Sequence, residues 1–164
     1  LRRAHPHSLW LGHAGDGRDL RGILDAGIAA VVQLAVEEPP ITATRELVVC
    51  RFPLIDGSGN PVWMLQAAIA AVERCLRNSI PTLLCCGAGM SRSPAIAAAA
   101  LAGVSGGSPA NCLVRLAEGG RIDVSPALWH DVCHVVAVSS EDACSRAKGD
   151  SRSAETTSSA ELRP

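Results

Sequence analysis

The chain has 164 residues, 48% of them apolar, and a formal net charge of −1. That is enough length for one domain with a real core, and the near-neutral balance excludes the strongly basic surface that nucleic acid or an anionic membrane requires. With no Tyr, a single Phe and no apolar run of the roughly 20 residues needed to span a bilayer, the expected protein is soluble, with a core of Ala, Val, Leu and Ile.

Residues 1–8 read as a polar lead, in which Arg2-Arg3 is followed by His and Pro and not by the apolar core of a signal peptide. Leu9-Trp10-Leu11 makes a short apolar strand ending at Gly12. Residues 16–26 read as a helix with Leu20, Ile23 and Leu24 on one side and Gly27 as its stop. Residues 28–36 are almost continuously β-branched or small and apolar, which fits a strand covered on both faces, and Glu37-Glu38-Pro39-Pro40 breaks it. Residues 46–52 alternate and are expected to form a second central strand. Residues 53–61 form a loop rich in Gly, Ser and Asn.

Four helix entries share one device: Asn60-Pro61, Ser93-Pro94, Ser108-Pro109 and Ser125-Pro126 each pair a good N-cap with proline at the first helical position. The first opens a helix to about residue 78, with Val62, Leu65, Ile69, Val72 and Leu76 as its stripe. The second carries the small residues 95–102, which permit close packing on a strand. The third buries Cys112, Leu113 and Leu116, and the fourth presents Leu128, Trp129, Val132, Val135 and Val136. Early alternation and late accumulation of helices predict an α/β domain over 9–138: a central, mostly parallel sheet flanked by helices in three layers, with the site at the carboxyl end of a strand. From 139 to 164 no apolar period survives, which predicts a disordered tail.

The stretch that carries chemistry lies between the first two of those helices. An apolar segment, 80–85, delivers Cys86 into Gly87-Ala88-Gly89-Met90-Ser91-Arg92, and Ser93-Pro94 opens the next helix. Successive backbone N–H groups of such a loop can curl into a nest for a dianion, glycines let the loop close tightly, and the helix N-terminus adds its positive end. Arg92 can grip two anion oxygens with its planar fork, which Lys could not do. The same field would act on Cys86: a thiol near a helix N-terminus and a cation can fall from about 8.5 into the range of roughly 3.5–7.5, which would make it a thiolate at neutral pH. A thiolate at the floor of a phosphate cradle implies phosphoryl transfer to sulfur. The plainer alternative is a core cysteine before an ordinary strand-to-helix turn.

Cys86, Gly89, Arg92 and Ser93 resemble the signature loop of the cysteine-dependent protein phosphatases, in which a cysteine and an arginine separated by five residues are followed by Ser or Thr, and the chain is most similar to their small dual-specificity branch. The resemblance implies that fold over 9–138 and hydrolysis of phosphotyrosine, with phosphoserine or phosphothreonine as further substrates, through a phosphocysteine intermediate. It implies that Cys86 attacks and that Gly87, Ala88, Gly89, Met90, Ser91 and Arg92 bind phosphate. Ser93 would assist departure of the sulfur, or serve only as a helix cap. Asp56, on a loop about thirty residues earlier in Pro53-Leu54-Ile55-Asp56-Gly57, resembles the general acid that protonates the leaving group. As a bare Asp-Gly pair it would simply start a turn. The family usually has His immediately before the nucleophile, where this chain has Cys85. That departure implies a weaker nucleophile and motivates an alternative, a phosphate-reading module with little turnover. A thiol enzyme handling other oxyanions, such as an arsenate reductase or sulfurtransferase, would want a resolving cysteine near the site.

No metal or other cofactor is implied. The expected partner is a phosphorylated protein substrate, with no nucleic acid, no membrane and a monomeric state. The seven cysteines lack zinc-type spacing, so free thiols in a reducing, cytoplasmic setting are expected. Cys85 should point to the opposite face from Cys86 and act as a core residue. His130 and His134 stand four apart on a predicted helix, with no third ligand in view. Glu37 and Glu38 either rim the pocket, repelling highly anionic substrates, or form a solvated turn.

Overall fold

A computed structural model describes residues 1–153. In chain order the elements are β1 (Arg2–Arg3), β2 (Leu9–His13), α1 (Ala14–Arg18), α2 (Leu20–Asp25), β3 (Ala30–Ala35), β4 (Val48–Leu54), α3 (Val62–Arg77), β5 (Thr82–Cys86), α4 (Arg92–Ser105), α5 (Pro109–Glu118) and α6 (Pro126–Ser153). The strands form one sheet in the order β1-β2-β5-β3-β4, parallel except for the β1–β2 pair. The carboxyl ends of β2, β3, β4 and β5 therefore open on one edge of the sheet, where an open α/β sheet binds its ligands.

Two apolar clusters cover the two faces. The larger joins Leu9, Leu11, Val32, Leu34, Leu84 and Cys86 of the strands to α3, α4, α5 and α6. The smaller joins Val31, Leu83 and Cys85 to Ile23 and Ile28. Every residue of α4 from Arg92 to Ala102 is buried, as expected of a helix apolar on all sides. Its alanines let α3, α5 and β5 approach it closely.

Several elements depart from expectation for identifiable reasons. The predicted helix over 16–26 is two helices, because Asp19 leaves helical geometry (φ −82°, ψ 78°) and its side chain caps α2 at the Gly22 N–H, 3.0 Å away. Leu24 is consequently exposed while Ile23 is buried. The strand expected to be central at 46–52 is β4, an edge strand, and Pro53 within it has no N–H to give to a further neighbour. Two residues of the polar lead pair with β2 as β1. The last helix passes through residue 139, where the sequence predicts a tail. The stretch contains no proline and continues from a packed amphipathic turn, which is enough to propagate helix. Residues 154–164 of that predicted tail lie outside the described residues.

Candidate active site

β5 ends on Cys86 in register with His13 of β2, and α4 begins six residues later at Arg92. Two carbonyls of the intervening loop are taken up by neighbouring segments. Gly87 O accepts from the Ala14 N–H (3.1 Å) and Met90 O from the Asp123 N–H (2.9 Å). Among the described residues no carbonyl or side chain accepts from the N–H groups of residues 88–91. Amides left free in this way are what an anion-binding nest requires.

The two loop glycines are needed for different reasons. Gly89 has φ +74°, and a Cβ there would lie 2.8 Å from the Gly12 carbonyl oxygen, so both conformation and space demand glycine. Gly87 has no positive φ, but a Cβ there would lie 2.9 Å from Glu37 Oε1 and 3.1 Å from Arg92 Nη2. Its absent side chain makes room for an ion pair.

That pair is a feature the sequence left open. Arg92, only 4% exposed, donates from Nη1 to Glu37 Oε2 at 2.6 Å, from Nη1 to the Leu54 carbonyl at 3.0 Å, and from Nη2 to Glu37 Oε1. Burial pulls the guanidinium pKa down, but the Glu37 hydrogen bond and the nearby Cys86 and Asp56 more than offset it, leaving the pKa raised. Hydrogen bonding to Arg92 in turn holds the Glu37 carboxyl below its ordinary range, against the opposing pull of burial. Arg92 is thus a fixed cation, gripped at one end of its fork. Its Nε is buried and has no partner, and so is Ser93 Oγ one residue on. Glu38 does not join them and pairs with Arg18 at 2.7 Å.

Asp56 reaches the same place from β4. Its Oδ1 accepts from Ser91 Oγ at 2.5 Å. Asn60, predicted as a helix cap, folds back on the loop instead. Its Oδ1 accepts from the Ile55 N–H (2.8 Å), and its Nδ2 donates to the carbonyls of Ile55 and Gly57 (3.0 Å each). The helix caps differ likewise at Ser93, which lies inside α4, while Ser91 holds the N-cap position. Ser108 does cap α5, accepting from the Asn111 N–H at 3.2 Å. The sequence signal for Asn60 points to a cap that the loop outcompetes, while Glu37 stands in a polar turn where solvent would satisfy it equally well.

Cys85 is turned away. It is 1% exposed in the smaller cluster, and burial first, then the neighbouring Cys86 and Asp16, push its thiol up to about 12. Cys50 packs on the larger cluster, on the other face from Cys85, and both thiols are free. His130 and His134 are exposed, and no cluster of three His, Cys, Asp or Glu suited to a metal occurs among the described residues. Cavities of about 370 and 430 Å³ lie between β1 and α5 and between α3 and α6. Neither is lined by the loop after Cys86.

No protein-family model matches the chain, and no curated protein matches it in sequence. Solved structures do. Human DUSP28 superposes with a TM-score of 0.75 at 24% identity, covering 87% of this chain and 99% of that one. A mouse putative dual specificity phosphatase, complexed with zinc tungstate, gives 0.75 at 22% identity over 87% and 89%. The human tyrosine phosphatase-like serine/threonine/tyrosine-interacting protein gives 0.70 at 16% identity over 84% and 95%. With its mostly parallel five-stranded sheet and its strand-loop-helix at Cys86, the chain has the fold of the small dual-specificity phosphatases.

Proposed function

We propose that the chain hydrolyses phosphate monoesters on proteins, phosphotyrosine first and phosphoserine or phosphothreonine in addition, through a phosphocysteine intermediate. The observation that carries this reading is the pair of buried polar atoms without partners, Arg92 Nε and Ser93 Oγ, on the first turn after a loop of unpartnered amides. Buried polar groups are ordinarily satisfied. A phosphate bound above Cys86 would accept from the amides and from the free edge of the guanidinium together.

In the first step the Cys86 sulfur attacks phosphorus, the bond to the leaving oxygen breaks, and Asp56 gives that oxygen its proton. In the second, the Asp56 carboxylate takes a proton from water as the water oxygen attacks phosphorus. The sulfur leaves as a thiolate, to which Ser93 Oγ donates. Glu37 keeps the guanidinium in place throughout. A resolving cysteine, which a thiol-based oxyanion reductase would need, is not supplied by Cys85, which lies on the opposite face.

A second reading, a phosphate-binding module with little turnover, is favoured by one feature: Cys85 stands where the family usually has His. Turnover of an aryl phosphate by the native chain and by Cys86→Ser separates the two. Hydrolysis predicts a loss of about 10³-fold or more in the variant. Equal rates would leave only binding.

A further inference from the structure

We propose that Ser91 is a positioning residue that latches the general-acid loop onto the phosphate loop and selects which oxygen of Asp56 carries the transferable proton. The inference rests on the phosphatase reading for its chemistry, while the latch itself rests on hydrogen bonding alone.

Ser91 holds the N-cap position of α4, where a serine normally accepts from an amide of the first turn. It makes no such bond. It is 7% exposed, and its hydroxyl is engaged elsewhere on two sides: Oγ accepts from the Ser125 N–H at 3.1 Å and donates to Asp56 Oδ1 at 2.5 Å. An amide N–H can only donate, so Ser125 takes one lone pair of Oγ, and the hydroxyl proton is directed to Asp56 Oδ1. Three loops therefore meet on one oxygen: the one after β5, the one after β4 and the one before α6.

The acid loop is held from its other side by Asn60, whose amide binds the residues on either side of Asp56. Asp56 is itself exposed, so burial does not fix its carboxyl. Ser91 does. With Oδ1 committed as acceptor to the hydroxyl, the acidic proton resides on Oδ2, leaving that oxygen to serve the leaving group. The same contact keeps the carboxylate beside the cradle for the hydrolytic step.

The consequence is specific to proton donation. In Ser91→Ala, kcat/KM for phenyl phosphate, which reports the transfer to sulfur and whose leaving oxygen needs a proton, should fall about 10- to 100-fold. That fall should exceed the one for 2,4-dinitrophenyl phosphate, whose leaving group departs unaided, by at least about tenfold. Ser91→Thr, which keeps the hydroxyl, should restore the native ratio of the two substrates. In an Asp56→Asn background Ser91→Ala should add almost nothing. Equal losses on both substrates, or full additivity with Asp56→Asn, would overturn the proposal, since they would mean that Ser91 only supports the phosphate cradle. Backbone NMR relaxation of residues 55–59 reads the latch without turnover. The loop should become mobile in Ser91→Ala and stay ordered in Ser91→Thr, and an ordered loop in both refutes the latch. A native chain that turns over neither substrate would defeat the phosphatase reading, and the relaxation measurement would still decide the latch.

Discussion

Two adjacent cysteines at the end of one strand have opposite surroundings. Cys86 faces α3 and α4, beyond which lie the amide nest and a guanidinium fixed by Glu37. Cys85 faces Ile23, Ile28 and Val31, where burial raises its thiol to about 12. Strand alternation puts them on different faces, but alternation alone does not give the two thiols different surroundings. The difference comes from the groups that each face packs beyond the strand end: a loop of unpartnered amides and the start of a buried helix on one, aliphatic side chains on the other. A thiol's chemistry thus belongs to the face it is assigned to.

The comparison breaks most severely if the cation is altered. Arg92→Lys keeps the charge but loses the planar fork that serves Glu37 at one edge and leaves Nε free at the other. Removal of one aligned oxyanion donor typically costs about 10²–10³-fold, and that loss is expected in kcat/KM for an aryl phosphate. Because the Glu37 carboxyl is held below its ordinary range, its pair with Arg92 is present above that range and is lost only as pH falls through the lowered value. The Arg92→Lys defect should therefore be nearly constant between pH 6 and 8. A defect below about threefold would mean that Arg92 is a structural ion pair and nothing more.

A matched pair of glycines sharpens the contrast at the next scale. Gly89, on the Cys86 side, has φ +74° and would press a Cβ onto the Gly12 backbone at 2.8 Å. Gly17, on the Cys85 side, would press one onto Cys85 Sγ, also at 2.8 Å. Each alanine substitution should cost about 1–3 kcal/mol in urea unfolding, but for different reasons and with different remedies. Gly17→Ala should be largely rescued by Cys85→Ala, which removes the sulfur, and should leave phosphate binding intact. Gly89→Ala has only backbone in its way, so no side-chain substitution should rescue it, and affinity for vanadate should fall with it. Rescue of Gly89→Ala by Cys85→Ala would show that the two faces are coupled.

How much of this was legible in the sequence depends on whether a residue's partner is near or far along the chain. The α/β architecture, the strand into Cys86, the nest-forming loop and the opposite facing of Cys85 follow from local period and from Gly, Pro and β-branched placement. The Ser-Pro and Asn-Pro entries were legible only in part. Ser108 caps its helix, yet Asn60 bonds back to Ile55 and Gly57 of its own loop, and Ser93 lies inside α4, whose N-cap position is taken by Ser91 with its hydroxyl turned to Asp56. Nothing within a few residues of Ser91 signals its partner Asp56, 35 positions away. The same holds for Glu37, 55 positions from Arg92, and for the edge placement of β4, which is decided by how four parallel strands are ordered and not by the alternation of any one.

The smallest effect tests the quiet half of the comparison. A thiol held protonated by burial makes the folded state bind a proton that the unfolded chain has released, wherever pH lies between the ordinary cysteine value and the raised one. Here those bounds are 9.0 and about 12. The contribution of Cys85 to stability is whole below the lower bound and declines as pH rises toward the upper, at about 1.4 kcal/mol per pH unit. Cys50 and Cys133 are shifted upward by burial too, so the native chain alone cannot assign the slope, and the difference from a variant can. Cys85→Ala loses some packing and should be less stable than the native chain at pH 8, by about 1 kcal/mol. By pH 10 to 11, in the presence of reductant, the gap should close and then reverse. A gap independent of pH across that window would mean that Cys85 is reached by solvent and ionises freely, and the two faces of the strand would then differ in position without differing in chemistry.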